Sequence, residues 1–427
     1  MPTVSRGLPK QPHLDIPKRE ARELLTLWRA AEPLAFHRIR NRHPQFAGAG
    51  DGALRSGPFK LADAQLVIAR EYGLPSWPAL KRRIEANAWS RELAQAIRAG
   101  DRDTVRRILT LNPDLLHLPV ISANWGPPMS HAANLGQLAI IQDCAALGAR
   151  DHTHAFGRAL LQGQLECARW LLTAGAKITP EEVKGPCECL NAAGLQLLVE
   201  LGAPLRASSS GPLAPVATVL GTYARNPAGK HACLDILARN GFDLPDTPIM
   251  AFHRGQLDRL KAHLARDPGL LNRRFAYREI YPTDLGCPDD GLSALCGTPV
   301  AGGTLLHLAI DFDEQEIFDW LLAAGADVNA RADVARDGFG GHTPLFNAIV
   351  SCPTISGLQQ DGAMTRALLA RGADPTLRAT LRKFLDWIEN PRWHEARDVT
   401  PREWAGGFPE RNWVNAASVR MLGAKAN

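Results

Sequence analysis

The sequence predicts an all-α chain: an α-solenoid of about nine degenerate helix-turn-helix units with short β-hairpin connections, preceded by a helical capping module. Three observations predict it. Glycine recurs directly after apolar helical runs, at Gly148, Gly175, Gly202, Gly241, Gly325, Gly372 and Gly423. That is the place of a left-handed C-cap, where a side chain would cost energy. Threonine recurs where a second class of helix opens, at Thr247, Thr304, Thr343 and Thr400, and proline follows it in three of the four. Thr is a good N-cap, and Pro at the first helical position has its φ preset. Finally, the 37 Gly and 31 Pro of the 427 residues fall mostly as this punctuation, so they do not signal disorder.

Taken in order, residues 1–87 read as a helical lead-in. Apolar residues spaced by three and four predict helices over 15–44 and 60–85, joined by a flexible Gly-rich link at 48–52. This module covers the otherwise exposed end of the array, which occupies 88–427. The first unit centres on residues 96–116, and others begin near residues 126, 154, 185, 212, 246, 303, 341 and 398. A Trp-rich tail with Trp387, Trp393, Trp404 and Trp413 closes the far end.

The most regular unit runs from Thr304 to Asn329 as TLLHLAIDFDEQEIFDWLLAAGADVN. Its T-x-L-H-x-A opening and L-L-x-x-G-A-D-V-N ending resemble the ankyrin repeat, with echoes in the other units. The whole chain resembles bacterial ankyrin repeat-containing proteins with an N-terminal helical lead-in. The resemblance implies that His307, and His131 in the matching slot, bond backbone between neighbouring repeats. It also implies an array that binds another protein.

Spacing locates the departures. Gly148, Gly175 and Gly202 stand 27 residues apart, against a family period of about 33, so the early units have stunted fingers. The late units carry insertions at 273–302, 331–342, 351–362 and 377–398. Fingers of successive units project from one edge, so 273–302, 331–342 and 391–398 are expected side by side. Tyr and Arg suit recognition surfaces. The candidate binding residues are therefore Tyr277, Arg278, Tyr281, Asp284, Asp289, Asp290, Arg336, Asp337, Phe339, His342, Trp393, His394 and Arg397. For the aromatic residues, packing beneath their own loops is the competing reading.

Catalytic signatures are sparse. GxSxG, P-loop and HExxH patterns are absent, and Gly48-x-Gly50-x-Gly52 follows no strand. The acidic run Asp311 to Glu316 has two readings: the junction where one repeat helix ends and the next begins, with carboxylates favoured at the new helix N-terminus, or a general acid or Mg²⁺ site. An enzyme with acid/base or metal-assisted chemistry, cyclase- or hydrolase-like, in a pocket of the inserted loops is the alternative to a binding module. Asp284, Asp311, Asp313 and His394 would be its catalytic candidates. No metal or cofactor is expected. A net charge of +5 with dispersed basic residues does not point to nucleic acid. With no signal-like or membrane-length apolar run, a cytoplasmic chain with a protein partner is expected, and a small-molecule ligand is the lesser option. The eight cysteines read as reduced core thiols, with Cys287 and Cys296 as the one pair to test for bridging.

Overall fold

The computed structural model describes residues 6–8, 13–289, 297–355, 357–385 and 390–423. The chain forms two compact units, residues 1–132 with 137–151, and residues 133–136 with 152–427. Nine helix pairs stand among the described residues, as the repeat spacing predicts.

The first unit begins with helices Asp15–Arg29, Pro33–Arg42, Asp51–Ser56 and Leu61–Glu71. Leu24, Phe36, Ile39, Val67 and Ile68 form their shared core. The expected helix over 15–44 is broken after Arg29. Ala31 takes a left-handed φ of 58°, and Glu32 is extended because Pro33 disfavours a helical residue before it. The expected helix over 60–85 breaks likewise, at Gly73 (φ 76°). A new helix, Trp77–Ala99, then starts at Ser76 with Pro78 in its first turn, and it runs through residues 87 and 88. The Gly-rich stretch is not a bare link, since Asp51–Ser56 is helical.

In the second unit the pairs run from His152–Gln162 with Leu165–Thr173 to Pro401–Gly407 with Ala416–Gly423. Of the seven punctuating glycines, Gly148, Gly175, Gly202, Gly241, Gly325 and Gly372 have left-handed φ, between 72° and 102°. Gly423 instead ends inside its helix. The early connections are short, and the β-bridges among the described residues fall only between Val334 and Val414.

His307 behaves as the ankyrin resemblance implies. Its Nδ1 accepts from the Thr304 backbone N–H at 3.0 Å, and its Nε2 bonds the His342 carbonyl of the next repeat at 3.3 Å. Complete burial lowers its pKa to about 3, so the ring is a neutral strut. His131 is buried against Trp125.

Two insertions are more structured than loops. Residues 379–399 form an antiparallel hairpin, β1 (Ala379–Leu385) and β2 (Arg392–Val399), with Phe384 opposite Trp393 and Lys383 opposite His394. One face of it packs on Trp404, Phe408 and Trp413 in a core shared with Phe346 and Ile349. Trp387 lies outside the described residues. The 273–302 insertion is pinched at its base, where the Phe275 N–H donates to the Gly303 carbonyl (2.9 Å) and the Gly302 N–H to the Phe275 carbonyl (2.7 Å). Beyond that pinch it folds inward and buries Ile280, Tyr281, Leu285 and Cys287.

Candidate functional site

Three late fingers meet edge to edge in the second unit. The Asp333 N–H donates to the Gly302 carbonyl at 2.9 Å, and the Gly340 N–H to the Thr380 carbonyl at 2.7 Å. Gly340 has a φ of 130°, and a Cβ there would collide with the Asp333 carbonyl. Only glycine lets the middle finger close this tightly.

Above that seam lies a groove of about 630 Å³. Tyr277, Phe384 and Trp393 line it, together with Gly302, Ala335 and Gly340. Trp393 stands against Phe384 at 5.3 Å between ring centroids. The Arg382 guanidinium sits 5.0 Å from the Trp393 ring and 4.6 Å from the Phe339 ring, and it pairs with Asp337. Arg397 stacks on Phe339 at 4.8 Å. Such stacks fix the arginine planes at modest entropic cost. Two large apolar residues stay open here, Val334 at 63% and Trp393 at 46% exposure.

The structure sorts the sequence-predicted residues. Tyr277, Phe339, His342 and Trp393 line the groove. Asp337 and Arg397 hold its cation–ring stack, and Arg336 is exposed on the same finger. His342 is buried beneath it. Its Nε2–H donates to the Pro299 carbonyl at 2.8 Å, and burial lowers its pKa to about 4. Tyr281 is only 3% exposed and packs between Tyr277 and Phe312, so it presents no surface to a partner. His394 faces away from the groove, 5.1 Å from the Trp404 ring. Arg278 pairs with Asp289, and Asp284 lines a separate cavity of about 650 Å³ with Arg206 and Arg273. Asp290 and Cys296 lie outside the described residues. Cys287 is a free, buried thiol.

The four catalytic candidates do not converge. Asp284 and His394 lie on different elements and line no common cavity. Asp311 is fully buried at the end of helix Leu305–Asp311, where the acidic run leads into the helix Gln315–Ala323, and it pairs with Arg225 at 2.8 Å. Asp313 takes a left-handed φ of 61° and accepts from Gln359 at 2.7 Å, and burial raises its pKa. Among the described residues no group of three His, Cys, Asp or Glu could hold a metal. No described helix is long and apolar enough to cross a membrane.

Asp311 belongs instead to a buried polar centre that no local sequence pattern marks. Arg225 also donates through Nε to the Asp311 carbonyl at 2.6 Å. Burial works against its charge, but with Asp311 beside it the guanidinium stays protonated. Beside it Lys230 donates to His253 Nδ1 at 2.7 Å, and the other His253 nitrogen donates to the Ile280 carbonyl at 2.9 Å. The Lys230 ammonium lies 4.0 Å from the Phe312 ring. Desolvation lowers its pKa to about 7 and holds His253 neutral. This centre ties the 273–302 insertion to the repeats, and no ligand-sized space adjoins it.

The groove residues missed from sequence are Val334, Arg382 and Phe384. Arg382 and Phe384 had a signal in the two-residue alternation of Ala379 to Leu385, which marks a half-buried strand.

Residues 301–333 match the family model of the ankyrin repeat. Among solved structures, the chain is similar to the human ASB11 ankyrin repeat domain at 16% identity, covering 70% of this chain and 99% of that one, with a TM-score of 0.25. No curated protein matches the sequence.

Proposed function

We propose that this ankyrin repeat protein binds a segment of another protein in the groove built by its three late fingers. Ankyrin repeats generally serve as protein–protein interaction modules. The observation that carries the placement is the pair Val334 and Trp393. They stand on neighbouring fingers, both exposed, both lining one groove beside arginines already held in place. Exposed apolar groups gathered in one concavity mark binding sites. A preformed groove also limits the ordering cost of binding. A cytoplasmic setting fits the seven described cysteines, all free thiols.

The test is photocrosslinking in cells from a benzophenone side chain at position 334, with position 173 on an outer helix as control. A discrete protein adduct from position 334 that disappears with Trp393→Ala supports the reading. Adducts from position 173 alone would refute it. Point substitutions are the right tool, because deleting 275–302 would remove the buried Phe275, Ile280 and Leu285 and unfold the neighbouring repeats.

A further inference from the structure

We infer that the segment taken by this groove is an acidic peptide that carries a large apolar side chain beside its carboxylates. The inference rests on the groove being the binding site, and adds the chemistry of what enters it.

The charge arrangement points this way. Four described carboxylates flank the groove on the middle finger and the hairpin, and each is already matched. Asp333 pairs with Arg274 (3.4 Å), Asp337 with Arg382, Glu395 with Arg397 (3.4 Å) and Asp398 with Arg378 (3.0 Å). None is left to receive a cationic partner. One arginine is left over: Arg336 on the middle finger is exposed and makes no ion pair among the described residues, whereas Arg392 at the start of β2 shares the strand face of His394, away from the groove. Asp386 and Glu389 lie outside the described residues. The unmatched charge of the described rim is therefore positive, and complementary charge steers and selects partners.

The apolar half of the partner follows from the walls. In the second unit, Tyr223, Val334 and Trp393 are the large hydrophobic residues left exposed among the described residues, and the last two share this groove. An aromatic or Leu side chain between them would cover both. Its carboxylate neighbours would then lie near Arg336.

Arginines stacked on rings also suit single-stranded nucleic acid. That ligand sets a phosphate at every nucleotide and requires a continuous cationic track. Asp333, Asp337 and Glu395 interrupt such a track here, so a peptide is favoured.

The experiment is selection from a phage-displayed library of random dodecapeptides on the full chain at physiological salt. The best peptide is then synthesised and titrated by fluorescence anisotropy. The expected result is enrichment of Asp or Glu next to Trp, Phe or Leu. Affinity should fall at least tenfold with Trp393→Ala, and at least tenfold with the reversal Arg336→Glu, whereas Arg392→Glu should leave it within about twofold. Both arginines are exposed, so the reversals leave the core intact, and circular dichroism verifies this. Neutral or basic peptides that still lose binding with Trp393→Ala would overturn the acidic inference and leave the groove as the binding site. Peptides indifferent to every groove substitution, or no selected peptide, would overturn both. A labelled oligouridylate displaced from the groove by the selected peptide would overturn the inference in favour of RNA.

Discussion

Replacing Lys230 with Met should change how stability depends on pH. Lys230 is 3% exposed, and the His253 ring that it hydrogen-bonds is neutral. Its pKa falls from 10.5 in the unfolded chain to about 7, chiefly by desolvation, against the attraction of Glu314. The charged form is the protonated one, so between those two values the unfolded chain binds the extra proton, and stability rises with pH. Integrating the two titrations from about pH 6.5 to about pH 9.5 gives a gain of about 3 kcal/mol from this one group. Buried thiols act in the opposite sense. Cys233 is pushed up to about 12, so its contribution is lost as pH rises through the ordinary thiol range. The raw pH profile therefore mixes both, and the difference between native and Lys230→Met chains isolates the lysine. Urea denaturation at several pH values supplies it. Met fills a similar volume and needs no proton, so the variant should be the more stable chain at low pH, with its advantage shrinking by about 3 kcal/mol across the window. A difference constant to within about 1 kcal/mol would refute the claim that burial of the Lys230 ammonium outweighs the attraction of Glu314.

Three other outcomes follow from the same geometry. Asp311→Ala should destabilise the second unit by about 3–5 kcal/mol by stranding the Arg225 charge, while the double change Arg225→Met, Asp311→Leu should cost markedly less; a denaturation cycle measures both. Trp404→Ala should cost about 3–5 kcal/mol because that ring is fully buried under the hairpin, whereas Trp393→Ala should shift the midpoint little and act on binding. Gly340→Ala should loosen the middle finger without melting the helices, seen as faster amide exchange at residue 340 with unchanged far-ultraviolet dichroism.

Much of the fold could be read along the chain because ankyrin units are local. A cap, an apolar stripe and a glycine each occupy fixed places within one unit, and Thr304, His307 and Gly325 act as their positions imply. The neighbourhood of the three late fingers was legible for the same reason, since successive units project them from one edge. What was not legible depends on contacts between distant residues. Tyr281 looked like a recognition residue because it sits in a long insertion, yet that insertion folds inward and buries it. Asp311 looked like part of an acidic run, but its partner, Arg225, lies 86 residues earlier. Lys230 and His253 carry no local pattern, and the energetics of the buried centre come from the packing of three repeats and one insertion around them.

Amide hydrogen exchange across the full chain, free and bound to the protein crosslinked from position 334, tests the central claim most directly. The account predicts slowed exchange concentrated in residues 331–342 and 379–399, with the outer helices such as Leu165–Thr173 unchanged. Protection confined to helices Lys184–Glu188 and Ala214–Gly221, or to Leu165–Thr173 and Ala192–Glu200, with the finger segments exchanging as before, would contradict it.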